Sequence, residues 1–129
     1  MEEANRLFGC DSCWPESAEA AWKGFRAMAN ELRLVDESHY IVSIRSCRNC
    51  EQRFLSMFTE TVDWADGEDP QYRTILPLTE EETADLSQPD TKLVLQELGP
   101  DRRSLFRDFP KGADPLVWWG TGMRITPRD

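Results

Sequence analysis

The segment 39–60, HYIVSIRSCRNCEQRFLSMFTE, decides the fold of this chain. Residues 39–45 are mostly β-branched or aromatic and follow a period of two, which predicts a strand. A second strand is expected over 52–64, after the tight turn that Cys47 and Cys50 bracket. The segment therefore predicts a β-hairpin with two cysteines in its turn, and the run 71–76 predicts a third antiparallel strand.

The cysteines form two identical Cys-x-x-Cys pairs, and the 129-residue chain contains no others: Cys10, Cys13, Cys47 and Cys50. Each pair brings two thiolates to one side of a tight turn, and two such turns supply four sulfurs about 2.3 Å from a common ion. We therefore predict a tetrahedral site with these four ligands and structural zinc as the cofactor. Four thiolates close the site to water, so a catalytic role for the metal is not expected.

Three alternatives to zinc remain open. Disulfides need an oxidising compartment, and Met1–Arg6 lacks the basic and apolar regions of a signal peptide. A redox Cys-x-x-Cys normally occurs once per active site, at the start of a helix, whereas the second pair here interrupts a hairpin. A different metal, such as an iron–sulfur cluster, is the third alternative. Of the four readings, zinc in a cytoplasmic protein fits the pattern best.

Two strands joined through a Cys-x-x-Cys turn resemble the ribbon-type knuckles of four-cysteine zinc proteins, which commonly place glycine after the second cysteine. Glu51 holds that position here, and a left-handed backbone there would cost about 1 kcal/mol. The block Cys47–Thr79, about a quarter of the chain, also resembles a stretch of small uncharacterised bacterial zinc-binding proteins. That resemblance implies zinc and a bacterial, cytoplasmic setting, and it implies no activity.

Helices are expected before and after the predicted strands in the sequence. Apolar residues recur every three or four positions over 18–32, which predicts an amphipathic helix that opens at Glu16 or Ser17 and fades near Asp36. Thr79 and Glu82 have the spacing of a capping box. Short helices are predicted at three places after the sheet, 80–86, about 90–98 and 102–107, and a strand with a glycine turn is predicted over 116–125.

Together these elements predict an α+β fold in a single domain, 1–129. The N-terminal amphipathic helix should pack on a small antiparallel sheet, followed by the short C-terminal helices. The zinc knuckle should pin the N-terminal segment to the turn between the first two strands. A chain of this length buries a real core, so the metal is expected to clamp one corner of the fold.

The charge is uneven along the chain. The formal net charge is −9, and the stretch 60–90 alone holds ten acidic residues and one basic residue. This stretch is either a solvated face or a docking surface for a basic protein partner. The overall charge argues against a general nucleic-acid binder, and no apolar run approaches the ~20 residues of a membrane span.

Two groups of residues are candidates for binding. Asp66, Glu68 and Asp69, with Trp119 as a surface anchor, are the candidates for a protein partner. Four basic residues near the Trp118-Trp119 pair are the candidates for nucleic acid, through stacking and phosphate contacts, or else they pair with the acidic stretch: Arg102, Arg103, Arg107 and Lys111.

No catalytic constellation is evident in the sequence. His39 is the only histidine, and the chain has neither a G-x-S-x-G motif nor a phosphate-binding loop. The favoured function is a non-enzymatic protein-interaction module stabilised by zinc, such as an acidic adaptor or an immunity-type inhibitor of a basic toxin. The alternatives are nucleic-acid binding through the arginine-rich group, and an enzyme whose site the sequence does not reveal.

Overall fold

One antiparallel sheet organises residues 8–60, 70–110 and 114–123, which are the residues described by this computed structural model. Each of its six strands pairs with the next strand along the chain. The strands are β1 (Ala29–Glu37), β2 (Tyr40–Ser46), β3 (Arg53–Glu60), β4 (Gln71–Pro77), β5 (Arg103–Phe109) and β6 (Leu116–Thr121). The helices are α1 (Ala18–Arg26) and α2 (Glu80–Leu86), with a 3-10 turn at Leu95–Glu97. None of the helices in these ranges is long and apolar enough to cross a membrane.

The predicted hairpin is present as β2 and β3. Their register runs without interruption from Tyr40 opposite Thr59 to Ser46 opposite Arg53. The prediction of a strand at 71–76 is also confirmed, because β4 pairs with β3 along its whole length. The α+β class and the antiparallel sheet are therefore as the sequence indicates. The part of the second predicted strand beyond residue 60 lies outside the described residues.

The long N-terminal helix predicted to fade near residue 36 is wrong in its second half. Helix α1 ends at Arg26, and the chain then forms strand β1 against β2. The register of this pair shifts twice, between Asn30 and Leu32 and between Arg33 and Val35. These irregularities break the two-residue alternation of a strand, so the apolar residues of β1 recur at a spacing that resembles a helix.

The predicted C-terminal helices are only partly present. Helix α2 begins and ends at the predicted residues, with both hydrogen bonds of the Thr79–Glu82 capping box formed. The helix predicted for 90–98 is reduced to the 3-10 turn. The helix predicted for 102–107 is wrong, because this segment forms β5 between β4 and β6. Pairing on both sides outweighs a local helical pattern.

The sheet carries an apolar cluster on each face. On the helix face, Ala21 and Phe25 of α1 pack with Phe54, Ile75 and Leu105. On the opposite face, the cluster is covered by Leu86 of α2 and by Leu98. Neighbouring residues such as Phe54 and Leu55 therefore belong to different clusters, as strand geometry requires. Three of the four cysteines, Cys10, Cys13 and Cys47, belong to the helix-face cluster.

We expect Leu55→Ala to lower the free energy of unfolding by about 3 kcal/mol, because Leu55 is fully buried in the opposite-face cluster. The matched control is Leu32→Ala, since Leu32 lies on the edge strand β1 and is 38% exposed. Urea unfolding monitored by circular dichroism measures both changes. Equal losses in the two variants would contradict the placement of Leu55 in the core.

Candidate metal centre

The four cysteine sulfurs meet at one point at the edge of the helix face. All four Sγ atoms lie within 4.8 Å of one another. Three of the separations, Cys10 to Cys13, Cys10 to Cys47 and Cys13 to Cys50, are each 3.8 Å. All four residues are free cysteines with no disulfide between them. The structure therefore brings together the four residues that the sequence spacing singled out.

These distances fit the coordination of a single metal ion. A tetrahedron with metal–sulfur bonds of about 2.3 Å has edges of about 3.8 Å, which is the separation of the three closest pairs. Every member of the described cluster is a thiol, with no histidine or carboxylate in the group. When bound here, an ion of this kind would be enclosed by four thiolates and would act as a cross-link.

Both cysteine turns are held by backbone hydrogen bonds. In the first turn, the amides of Cys13 and Trp14 both donate to the carbonyl oxygen of Cys10, at 3.2 and 2.8 Å. In the second, the Glu51 amide donates to the Cys47 carbonyl oxygen at 2.9 Å. Backbone amides also donate to two of the sulfurs, Cys13 Sγ and Cys47 Sγ. Such contacts stabilise thiolates and fix their direction.

The ionisation of the thiols reflects their crowding. Burial favours the neutral form of Cys10, but backbone amides of its turn and the neighbouring thiols outweigh burial and lower its pKa to about 7. Burial raises the pKa of Cys13, and the charges of Cys50 and Cys47 add to this effect. Four thiolates so close together therefore need a cation among them, and metal binding here releases protons.

Gln52 joins the two cysteine turns to the sheet, a role that the sequence did not reveal. Its side-chain oxygen accepts from the Gly9 amide at 3.2 Å, just before the first turn. Its side-chain nitrogen donates to the carbonyl oxygens of Arg53 and Leu78, both at 2.7 Å. One amide side chain thus connects the N-terminal segment with β3 and the end of β4.

An aromatic wall packs beside the cysteines. Trp14 is buried in the same cluster as Cys13 and Cys47. Its ring lies 4.9 Å from Phe54 and 4.8 Å from Trp119. Helix α1 also lies close to the first cysteine turn. A side chain at Gly24 would collide with the backbone of Ser12 in that turn.

The candidate residues for a protein partner fall in two places. Asp66, Glu68 and Asp69 lie outside the described residues. The two adjacent tryptophans of β6 point to opposite faces, and the more exposed member is Trp118 and not Trp119, the predicted anchor. Trp119 packs on Trp14, and its indole nitrogen donates to the Glu16 carbonyl oxygen at 2.6 Å. Its role as a partner anchor stays a prediction.

The arginines that are close in sequence have different partners in the structure. Arg102 forms an ion pair with Glu82 at 2.8 Å and donates to the Pro77 carbonyl oxygen. Arg103 stacks 3.7 Å above the Trp119 ring and donates to the backbone of the Trp14–Pro15 segment. Arg107 lies further along β5, and Lys111 is outside the described residues. Arg103 and Arg107 lie on the helix face and Arg102 pairs with α2 on the opposite face, so the described members of the proposed nucleic-acid group do not all share one surface.

A different arginine group is present on the helix face. Arg73 and Arg107 lie opposite each other in β4 and β5, and Arg45 of β2 lies over the same Phe25 ring as Arg73. The sequence analysis missed this group because its members are far apart along the chain. Only the register of the strands, which pairs Arg73 with Arg107, reveals this group.

His39 remains a candidate without a site. Its Nδ1 atom lies 3.1 Å from Glu60 Oε1, and its side chain is 46% exposed. His39 lines neither the cavity beside Cys50 nor the cavity beside Arg107.

No family model, curated protein or solved structure matches this chain.

Glu51 has a left-handed backbone, with a φ angle of 67°. We expect Glu51→Gly to raise the free energy of unfolding by about 0.5–1 kcal/mol, because glycine removes the left-handed penalty but orders a more flexible residue. Denaturant unfolding with metal present measures the change. The control is Asn49→Gly in the same turn, where φ is not positive, and this variant should lose stability. A lower free energy of unfolding in Glu51→Gly would contradict the inference that the left-handed backbone at Glu51 is strained.

Proposed function

We propose that this chain is a non-enzymatic zinc protein whose metal holds a protein-binding surface in shape. The observation that carries the proposal is the cluster of four sulfurs within 4.8 Å of one another, made only of thiols. Such a donor set is typical of structural zinc, because no coordination position stays open for substrate. A metal without an open position contributes to folding and to shape.

The position of the site suits a clamp. Cys10 and Cys47 are 37 positions apart in sequence, yet their sulfurs are 3.8 Å from each other. A cross-link between them closes a loop that contains α1, β1 and β2, which restricts the unfolded chain. The free energy of metal binding is added to that of folding. Loss of the ion should therefore loosen the N-terminal segment first.

Helix α2 supplies the described part of an acidic surface. Glu80, Glu81 and Asp85 are exposed on it, and none of the three is in an ion pair with another described residue. Glu82 instead points inward, to the capping box and Arg102. Unpaired acidic side chains attract a basic partner and raise its association rate. A basic protein is the partner that we propose.

Metal content tests the first half of the proposal. We expect one zinc ion per chain by elemental mass spectrometry of the purified protein, and a large loss of zinc in Cys50→Ser. Removing zinc with a chelator should lower the unfolding temperature of the wild type. Arg48→Ser, an exposed change in the same turn, is the matched control and should keep its zinc. Iron in place of zinc, or no metal, would contradict this half.

A pull-down from source lysate tests the second half. We expect a basic protein to be captured, and its capture to weaken at least tenfold in Glu80→Lys/Glu81→Lys/Asp85→Lys, because the reversals repel a positive surface. The control carries three reversals of exposed residues on other elements, Glu19, Glu37 and Glu97. A third variant reverses Asp66, Glu68 and Asp69. A partner that binds the wild type and all three variants equally would refute the role of the acidic surface.

A further inference from the structure

Three arginines converge on the helix face, next to α1. Arg73 and Arg107 are directly opposite each other on neighbouring strands, and both guanidinium groups lie over the Trp22 ring, at 6.0 and 4.5 Å. Arg45 and Arg73 both lie over Phe25, at 4.9 and 5.1 Å. The three positive charges are therefore next to one another, which opposes folding unless something neutralises them.

The described residues supply no counter-charge. None of their carboxylate oxygens lies within ion-pair distance of Arg45, Arg73 or Arg107. Burial, followed by the charges of Arg45 and Arg107, lowers the pKa of Arg73 to about 10, so it stays cationic at neutral pH. The cluster thus holds three positive charges in a partly buried place, where the interaction with an anion is stronger than in water.

The aromatic rings lie against the guanidinium groups but offer no oxygen or nitrogen acceptor for their N–H donors. A guanidinium donates five N–H bonds in its own plane, away from a ring stacked on its face. Arg45 Nε donates to Ser43 Oγ, and Arg73 Nη1 donates to Ser56 Oγ. Arg107 Nε is buried without any hydrogen-bond partner. A buried donor without a partner is unfavourable, and an acceptor from a ligand would satisfy it.

A cavity opens beside these groups. It has a volume of about 190 Å³ and is lined by Trp22, Phe58, Gln71, Tyr72, Arg73 and Arg107. This volume is several times the ~30 Å³ share of one liquid water molecule, so a small oxyanion fits inside. Two arginines, three aromatic residues and one glutamine therefore line the cavity.

We propose that this cavity, the arginine cleft, binds the phosphate group of a small phosphorylated ligand. Paired guanidinium edges match the oxygens of a phosphate in charge and geometry. A phosphate dianion would neutralise the like charges of Arg73 and Arg107, and it would give Arg107 Nε its acceptor. The arginine cleft lies on the helix face, whereas α2 covers the opposite face, so the proposal is independent of the acidic surface.

Thermal unfolding with inorganic phosphate tests the proposal. Sodium chloride at the same ionic strength is the reference, because salt alone screens the repulsion among the arginines. We expect phosphate at ten times its Kd to raise the unfolding temperature by about 3–6 °C over chloride. Titration calorimetry on the same zinc-loaded protein measures the affinity directly.

Arg107→Gln is the main variant. It should weaken phosphate binding by about 10- to 100-fold, because a charged donor pair is lost. Without phosphate its unfolding temperature should not fall, since a like-charge pair is removed. Arg45→Gln is a second variant with a smaller expected loss, and it keeps the test decisive if Arg107→Gln misfolds. Lys92→Gln removes one charge from an exposed residue after α2 and should bind phosphate as the wild type does.

Comparison with a nucleoside 5′-monophosphate separates two sources of the phosphate group. Tighter binding of the nucleotide would indicate that the aromatic residues of the cleft contact its base, and equal binding would assign the site to free phosphate. Both outcomes support the cleft. Absence of binding by either ligand would overturn the proposal, as expected if another part of the chain neutralises the arginines. Equal binding by wild type, Arg107→Gln and Arg45→Gln would overturn it as well.

Discussion

Four sulfurs at the edge of the helix face impose the constraint on which the rest of the structure depends. Neighbouring strands make the sheet on their own, but the N-terminal segment that the structure describes, 8–17, contributes no strand to it. This segment is held by the cysteine cluster, by the amide of Gln52, and by the packing of Trp14 on Phe54 and Trp119. Four thiols at these distances repel one another once ionised, so a cation is what makes the arrangement favourable.

The parts of the fold that depend on local chemistry could be predicted from the sequence. The capping box of α2 is an example, because its two hydrogen bonds join residues three positions apart. The Cys-x-x-Cys turn of the β2–β3 hairpin is another. The cysteine cluster could also be predicted, since paired thiols at this spacing have few structural uses in one chain.

The parts of the fold that depend on strand pairing could not be predicted from the sequence. In β1, the two register shifts create an apolar spacing close to that of a helix. In β5, Leu105 and Phe106 look like one side of a short helix, yet they face opposite sides of a sheet. The arginines show the same limit: Arg102 and Arg103 are adjacent in sequence and have separate partners, whereas Arg73 and Arg107 meet across two strands.

The order of the strands has a consequence for how the chain assembles. Because the spatial order equals the order of synthesis, the sheet can grow by adding one neighbouring strand at a time, and its longest connection, between Pro77 and Arg103, contains α2 and the 3-10 turn. The N-terminal segment is different, because Trp119 donates to Glu16 across 103 positions and Arg103 donates to Trp14 across 89. Its docking requires both the β2–β3 hairpin and the last strand. We therefore expect the segment 8–17 to be the last part to reach its native position, and a metal bound by the four sulfurs would close a fold whose strands are already in place.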